Sequence, residues 1–138
     1  MTHPVVGVWR LSVYEIERPD GSRYRPFGDH PVGLLVYTAE GYVSAQLAHP
    51  VRPTFERGQG TGDEIRATFE NYIAYFGTYT LAEDGKSVVN HPEASLQPWR
   101  DRIDQPREMM LEGDRLTLEA EVDIRGLRHN ATLTWARA

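Results

Sequence analysis

The sequence TGDEIRATFENYIAYFGTYTL, residues 61–81, predicts the one convincing helix of the chain and the start of a strand. Thr61 followed three residues later by Glu64 is a capping box, in which each side chain bonds a backbone N–H that a helix start leaves free. The apolar residues that follow recur every three or four positions, so they share one helical face: Ile65, Phe69, Tyr72, Ile73 and Phe76. We therefore predict a helix over residues 61–76.

Gly77 is expected to end this helix, because glycine readily adopts the left-handed conformation of a helix C-terminus. Residues 78–81 then show the two-residue period of a strand. An amphipathic helix among many short strands must lay its aromatic face on a sheet or across a barrel mouth. If the strands form a barrel, we expect the helix to cap a cavity at one end of it. The Pro- and Gly-rich loop 48–60 before it would be the gate.

Composition limits the function classes. The chain has 138 residues and is expected to form one domain, 1–138, with 40% hydrophobic and 25% charged residues. Its net charge of −5 disfavours a nucleic-acid or anionic-membrane partner. With no cysteine there is neither a disulfide framework nor a thiolate metal site. No signal peptide or membrane span is recognised, so a cytoplasmic protein is expected.

The rest of the chain is typical of about eight to ten short antiparallel strands joined by tight turns. The first strand, residues 5–17, is predicted to turn one set of alternate residues inward: Val5, Gly7, Trp9, Leu11 and Val13. Residues 107–112 and 115–122 form a predicted hairpin, and 127–137 the last strand. This all-β pattern fits an antiparallel barrel or a sandwich.

Several stretches resemble a known family. Gly7-Val8-Trp9-Arg10-Leu11, together with Trp135-Ala136-Arg137, resembles the lipocalin-type start and terminal arginine. Four further stretches are similar to the small stand-alone lipocalin-like domains of bacteria and fungi: GLLVYT (33–38) with GYVSAQL (41–47), YIAYFGTY (72–79), HPEAS (91–95) and GDRLTL (113–118). The resemblance implies an up-and-down barrel around a ligand cavity, with the terminal arginine over the first-strand tryptophan.

The same resemblance implies a function in small-molecule chemistry, since lipocalin-like barrels include carriers and cofactor-free cyclases. The family often has two adjacent histidines where this chain has Asn90-His91, so a role that needs both is in doubt. Fold alone does not fix a reaction. Candidate residues must therefore be chosen from the faces of the strands.

Three residues are the candidates for catalysis. On residues 86–96, His91 and Glu93 share a face with Ser95, because alternate strand residues point to the same side. The polar-out rule of half-exposed sheets makes this the outer face, whereas the resemblance to a barrel with a polar-lined cavity favours the inside. We adopt the inside, with Glu93 and His91 moving protons and Arg107 stabilising an enolate-like oxygen. Arg107 would pair with Glu93 or, alternatively, extend to solvent.

A second group of residues is expected to bind the ligand. Tyrosine and tryptophan offer aromatic area with a polar tip, although ordinary core packing explains them equally well. His129 shares its strand face with Leu133, where a satisfied core histidine is commoner than a proton shuttle. Residues 42–47 can turn only one of their two alternating sets inward. The predicted ligand-binding residues are Tyr42, Gln46, Tyr72, Tyr75, Tyr79, Ser95, Trp99 and His129.

No cofactor or metal is predicted, because the five histidines show no HxH or HExxH pairing and no nucleotide-binding motif occurs. The first hypothesis is a barrel that binds a hydrophobic, oxygenated, polyketide-like metabolite, with a weak preference for cofactor-free catalysis as a cyclase, isomerase or dehydratase. The second is a non-catalytic carrier or protective binder with the same pocket. A third is a purely structural domain, and a homodimer is possible in each case.

Overall fold

A computed structural model describes residues 2–56 and 58–138 and contains one antiparallel sheet that closes on itself. Its elements in chain order are β1 (Gly7–Glu17), β2 (Arg23–Tyr24), β3 (Val32–Tyr37), β4 (Tyr42–Ala48), α1 (Gly62–Glu70), β5 (Tyr72–Leu81), β6 (Ser87–Ser95), a 3-10 turn (Pro98–Arg100), β7 (Gln105–Glu112), β8 (Arg115–Ile124) and β9 (Leu127–Arg137). The predicted all-β barrel with one helix is confirmed. β1 pairs with both β3 and β9, so eight strands form the barrel and β2 is an extra strand beside β1.

One end of the barrel is closed by Trp9. Its side chain is fully buried, and its indole N–H donates to the Val5 carbonyl oxygen at 2.9 Å. The Arg137 guanidinium lies 4.2 Å above the centre of the ring, and it donates to the Pro4 carbonyl oxygen at 2.8 Å. The stacked arginine therefore joins the last strand to the segment before the first, as the resemblance implied.

Inward-facing apolar side chains fill the barrel behind Trp9. They come from seven strands: Leu11, Leu35, Tyr37, Val43, Val88, Met109, Leu116 and Trp135. Residues 42–47 contribute Val43, Ala45 and Leu47 to this side, so the two-residue period of β4 is now assigned. A break in the β1–β9 register between Leu11 and Val13 corrects the first-strand prediction, because Tyr14 and Ile16 point inward beyond the break and Val13 does not.

The helix is shorter than predicted. Its capping box is present, with the Glu64 N–H donating to Thr61 Oγ1 at 3.2 Å and the Thr61 N–H donating to Glu64 Oε1 at 2.7 Å. It ends at Glu70, and the Asn71 side chain donates to the Ala67 carbonyl oxygen at 2.8 Å. Tyr72 begins β5 because the following residues find hydrogen-bonding partners along β4, and this pairing overrides the local helical spacing.

Gly77 is not a helix terminator, which is a second correction. It lies in the middle of β5 opposite Pro92, at a register break in the β5–β6 pairing. A Cβ atom at this position would overlap the His91 carbonyl oxygen and approach the Glu93 nitrogen to 2.9 Å. Glycine is needed here because the two strands approach each other closely.

The helix lies outside the barrel mouth and does not cap the cavity as predicted. None of its residues is buried, and Phe69 makes an edge contact with Trp99, with ring centroids 5.9 Å apart. Tyr72 and Phe76, expected to complete the capping face, lie on the outer side of β5. The apolar plug of the barrel is at the opposite end, around Trp9. In the described ranges no helix has the length and apolar character needed to cross a membrane.

Candidate ligand-binding site

The half of the barrel away from Trp9 encloses a cavity of about 110 Å³. Its walls are mostly aliphatic, with residues such as Leu35, Leu47 and Leu118 from three different strands. Polar lining residues converge on the same space: Tyr14, Tyr75, Asn90, Arg100, Gln105, Arg107 and Asp123. Such a combination of apolar walls with a few oriented polar groups is typical of a small-molecule site.

A hydrogen-bonded chain crosses the floor of this cavity. Tyr37 on β3 donates from its hydroxyl to Asn90 Oδ1 at 3.0 Å, and Asn90 Nδ2 donates to the Tyr75 hydroxyl at 3.0 Å. Asn90 is only 1% exposed, and these two hydrogen bonds offset the free-energy cost of burying its polar amide. Burial raises the pKa of Tyr37 and of Tyr75, and both hydroxyls are therefore neutral at physiological pH.

Tyr79 supports this chain without belonging to it. Its ring meets the Tyr37 ring edge-on at a centroid distance of 4.7 Å, and its hydroxyl donates to the Thr38 carbonyl oxygen at 2.6 Å. Tyr75 lines the cavity, whereas Tyr79 packs against the core without lining it, and the ligand-binding role of both stays a prediction. The sequence did not identify Tyr37 and Asn90 as site residues. The one signal for them was that each lies two residues from an inward-facing apolar residue of its strand, Leu35 or Val88.

Arg107 faces the cavity from β7, on the same side as Gln105 and Met109. Its guanidinium donates to Gln105 Oε1 at 3.0 Å and to the Pro106 carbonyl oxygen at 2.9 Å. Loss of hydration in this position lowers its pKa. No carboxylate lies within 4 Å of it in the described part of the chain, so the predicted ion pair with Glu93 is not formed.

His91 and Glu93 lie on the outer face of the barrel, which corrects the inward placement chosen from the sequence. Val88 and Asn90 are the buried residues of β6, and Gly77 pairs with Pro92 while Phe76 pairs with Ala94. Glu93 is thus the extra residue of a bulge and is exposed to solvent. The alternative stated above, a polar outer face, is the one found.

His91 has a structural role that the sequence did not suggest. Its Nδ1 lies 2.8 Å from Asp104 Oδ1 and its Nε2 lies 2.9 Å from Thr80 Oγ1. The neighbouring Arg102 N–H donates to the Pro92 carbonyl oxygen at 3.0 Å. These bonds hold residues 101–104 against the second half of β6, which has no strand partner on that side because β7 pairs only with Ser87–Asn90.

The remaining predicted ligand-binding residues divide between the two faces. Ser95 pairs with Tyr75 beyond the bulge and so points inward, with its hydroxyl buried. His129 is 7% exposed on the inner side of β9, where its Nδ1 lies 2.9 Å from the Leu127 carbonyl oxygen. Of the eight predicted residues, Tyr75 alone is among those that line the cavity. Four others lie on the outer side, which corrects their assignment: Tyr42, Gln46, Tyr72 and Trp99.

These outer residues have local partners of their own. The Tyr72 hydroxyl donates to Gln46 Oε1, and the Arg52 guanidinium lies 5.2 Å above the Tyr72 ring. Tyr42 is 58% exposed at the start of β4, and Trp99 is 63% exposed on the 3-10 turn. Their aromatic rings therefore face the surface near the barrel rim. Gln46 points outward because its neighbours Ala45 and Leu47 on β4 point inward.

Comparison with known proteins agrees with the geometry. A family model described as a lipocalin-like domain matches residues 6–138. The chain belongs to this lipocalin-like family. A relative from Aspergillus oryzae (strain ATCC 42149 / RIB 40), named "4'-hydroxy-3'-methoxypropiophenone carrier protein ppsC", is 27% identical over 106 residues, which cover 69% of this chain and 96% of the relative. No solved structure matches the chain significantly.

Family membership supports small-molecule binding, and the lipocalin-like barrel contains a partly enclosed cavity suited to it. A larger concavity, of about 820 Å³, lies on the outer face of the barrel. It is open to solvent and acidic, and its glutamates are Glu15, Glu17, Glu108, Glu119 and Glu121. Arg23 bonds two of them, at 3.5 Å from Glu15 and 3.1 Å from Glu17. An apolar ligand is not expected to bind to such a surface, because it would remove water from charged carboxylates without replacing their hydrogen bonds.

Within residues 2–56 and 58–138, no three or more His, Asp or Glu side chains of the lipocalin-like domain are grouped so that they could hold a metal ion. The ionisable groups of the cavity are instead two arginines, three tyrosines if Tyr37 is included, and Asp123 at the rim. The guanidinium and hydroxyl groups among them can donate hydrogen bonds to the oxygen atoms of an organic molecule.

Proposed function

We propose that this lipocalin-like protein is a carrier that binds one small, mostly apolar, oxygenated aromatic compound inside its barrel. The observation that carries the proposal is the cavity near Tyr75, Asn90 and Arg107, whose aliphatic walls surround a short row of polar groups. The name of the Aspergillus relative supports it, because 4'-hydroxy-3'-methoxypropiophenone is a single aromatic ring with oxygen substituents at both ends.

The size of the cavity favours a compound with one ring. The space of about 110 Å³ is smaller than the cavity of about 150 Å³ that holds benzene in an engineered protein core, so even a substituted single ring must extend into the mouth of the cavity. A larger polyketide-like molecule would require the mouth to widen, by movement of the 3-10 turn or of residues 101–104. Within the class of hydrophobic oxygenated metabolites, we therefore favour single-ring members.

The polar row is suited to orient such a ligand. The Gln105 side chain and the hydroxyls of Tyr14 and Tyr75 line the cavity from three strands. Each can exchange a hydrogen bond with a carbonyl, methoxy or hydroxyl oxygen, while the apolar walls contribute most of the contact area. A ligand without oxygen would leave these groups unpaired and should bind more weakly.

Replacing Ala120 with phenylalanine tests the proposed site. Ala120 lines the cavity from β8, so a phenyl ring there would fill the space that the ligand needs. We expect at least a ten-fold loss of affinity for 4'-hydroxy-3'-methoxypropiophenone, measured by tryptophan fluorescence titration and by native mass spectrometry. Ala74→Phe is the matched control, because Ala74 lies on the outer side of β5 between Ile73 and Tyr75. Equal affinity in both variants would contradict binding inside the barrel.

Cofactor-free catalysis is the second candidate, as a cyclase, isomerase or dehydratase. The observation that favours it is Arg107, which faces the same space as Tyr75 and is suited to stabilise an enolate-like oxygen. His91 and Glu93 point away from that space, so they are poorly placed to move protons for it. Incubation of the protein with the propiophenone, followed by mass spectrometry of the small molecules, separates the two candidates: a carrier returns the compound unchanged.

Substitution of an outward residue gives a further prediction. Glu93→Gln should change the affinity for the propiophenone by less than about two-fold, because this exposed side chain does not line the cavity. Isothermal titration calorimetry on this variant measures the change. Glu108→Gln, a change of the same charge on the outer face of β7, is the control for general charge effects. A large loss in Glu93→Gln alone would mean that the bulge face contacts the ligand.

A further inference from the structure

Arg107 lines both the cavity and the acidic outer concavity, and among the described residues no carboxylate lies within 4 Å of its guanidinium. The ionisable groups that act on it are Tyr14 from β1, Tyr37 from β3, Tyr75 from β5 and Arg100 from the 3-10 turn. Burial raises the pKa of all three tyrosines, so each remains neutral. The only other charged group in this set is a second cation.

Asp123 does not neutralise the pair of arginines. It lines the cavity at the rim, where its Oδ1 accepts a hydrogen bond from the Gly126 N–H at 2.8 Å. No ion pair joins it to Arg100 or to Arg107 among the described residues. The cavity therefore has a net positive character, inside a protein whose net charge is −5.

Trp135 is a further residue of the same cavity wall with an unpaired polar atom. Trp135 lines the cavity and is 1% exposed, and its indole N–H has no acceptor in the described part of the chain. Buried donors are almost always paired in folded proteins. The indole nitrogen itself is buried inside the wall, so the group that a molecule bringing negatively charged oxygen would satisfy is the Arg107 guanidinium.

We propose that the carried ligand is bound as an oxyanion, a phenolate, enolate or carboxylate on a small apolar body, and that Arg107, with Arg100 at the mouth, selects this charge state. The inference rests on the proposed function, since it concerns the same cavity. A guanidinium suits such oxygens because its planar N–H groups form two parallel charge-assisted hydrogen bonds. The apolar walls strengthen this attraction by excluding water.

The test uses three single-ring probes. They are 4'-hydroxy-3'-methoxypropiophenone, its neutral methyl ether 3',4'-dimethoxypropiophenone, and 4-propionylbenzoate as the carboxylate. The phenolate of the first compound has its own absorption band, so its ionisation can be followed while it is bound. A positive site lowers the pKa of a bound phenol, and we expect a shift of about one unit, equivalent to about ten-fold tighter binding of phenolate than of phenol.

Arg107→Gln should abolish this shift and remove the preference for phenolate and benzoate over the neutral ether. Arg107→Lys should retain most of it, because the charge is kept while the paired hydrogen bonds are lost. Arg128→Gln is the matched control, since Arg128 is 78% exposed and pairs with Glu121 on the surface. Thermal melting of each variant establishes that the barrel is folded before binding is compared.

The failure of this inference differs from the failure of the proposed function. If the ether binds as tightly as the phenol, and the bound phenol ionises at the same pH as the free one, charge selection is wrong while the carrier function stands. An unchanged shift in Arg107→Gln also overturns the role of that residue. If none of the three probes binds to the wild-type protein, the proposed function fails, and the inference fails with it.

Discussion

Trp9→Ala is expected to lower the free energy of unfolding by about 3–5 kcal/mol, the range found for removal of a large buried aromatic side chain. Trp9 is fully buried, so the substitution leaves a cavity at the closed end of the barrel. It also leaves the Val5 carbonyl oxygen without its donor and the Arg137 guanidinium without the ring beneath it. Urea denaturation followed by circular dichroism measures the change.

The matched control is Trp99→Ala, the same substitution at a residue that is 63% exposed. It should cost less than about 1 kcal/mol, as is usual for surface positions. If Trp9→Ala does not fold, Trp9→Phe serves instead, because it keeps an aromatic ring below Arg137 while losing the bond to Val5. Equal midpoints for the Trp9 and Trp99 variants would show that this end does not hold the barrel together.

Gly77→Ala is the second substitution with a large expected effect. The new Cβ would overlap the His91 carbonyl oxygen and lie 2.9 Å from the Glu93 nitrogen, and both of these are backbone atoms. Since a backbone cannot move aside as a flexible side chain can, β5 and β6 must separate at the bulge. We expect a loss of about 3 kcal/mol, at the upper end for overpacking, measured by the same denaturation experiment.

Gly62→Ala is the control for this change. Gly62 is the first residue of α1, and nothing lies within 4 Å of the position of its Cβ. Alanine should be neutral or stabilise the protein by up to about 1 kcal/mol, because it restricts the unfolded chain and favours helix. A Gly77→Ala variant as stable as Gly62→Ala would mean that the two strands do not approach as closely as described.

The fold could be predicted because its signals are local and repeated. Each strand alternates along its own length, and turns such as that at Gly113 separate the strands. The sequence at Trp9 and Arg137 also indicates how the closed end is built. The helix boundary failed for a physical reason: Tyr72, Ile73 and Phe76 fit a helical face by spacing, but pairing with β4 offers these residues a full set of backbone hydrogen bonds.

The site was only partly predictable because the inward-facing set of β6 changes at the bulge: Asn90 points inward before it and Ser95 after it. Arg107 was placed on the inner face correctly, since β7 pairs with β6 and with β8 without a register break. On β6 we predicted that the alternate residues that include His91 face inward. In the structure His91 faces outward, and Val88 and Asn90 face inward. Asn90, which links Tyr37 to Tyr75, could not be recognised because its partners lie 53 and 15 residues away in sequence.

The incomplete pairing of β6 with β7 has a consequence for kinetics. Only four residue pairs join these strands, compared with ten between β8 and β9. The rest of the gap is covered by residues 101–104, held through Asp104 and the backbone of Arg102. Opening here breaks a few exposed bonds and leaves the core around Trp9 intact. We therefore expect the lifetime of a bound molecule to depend on this local opening and not on the unfolding of the whole barrel.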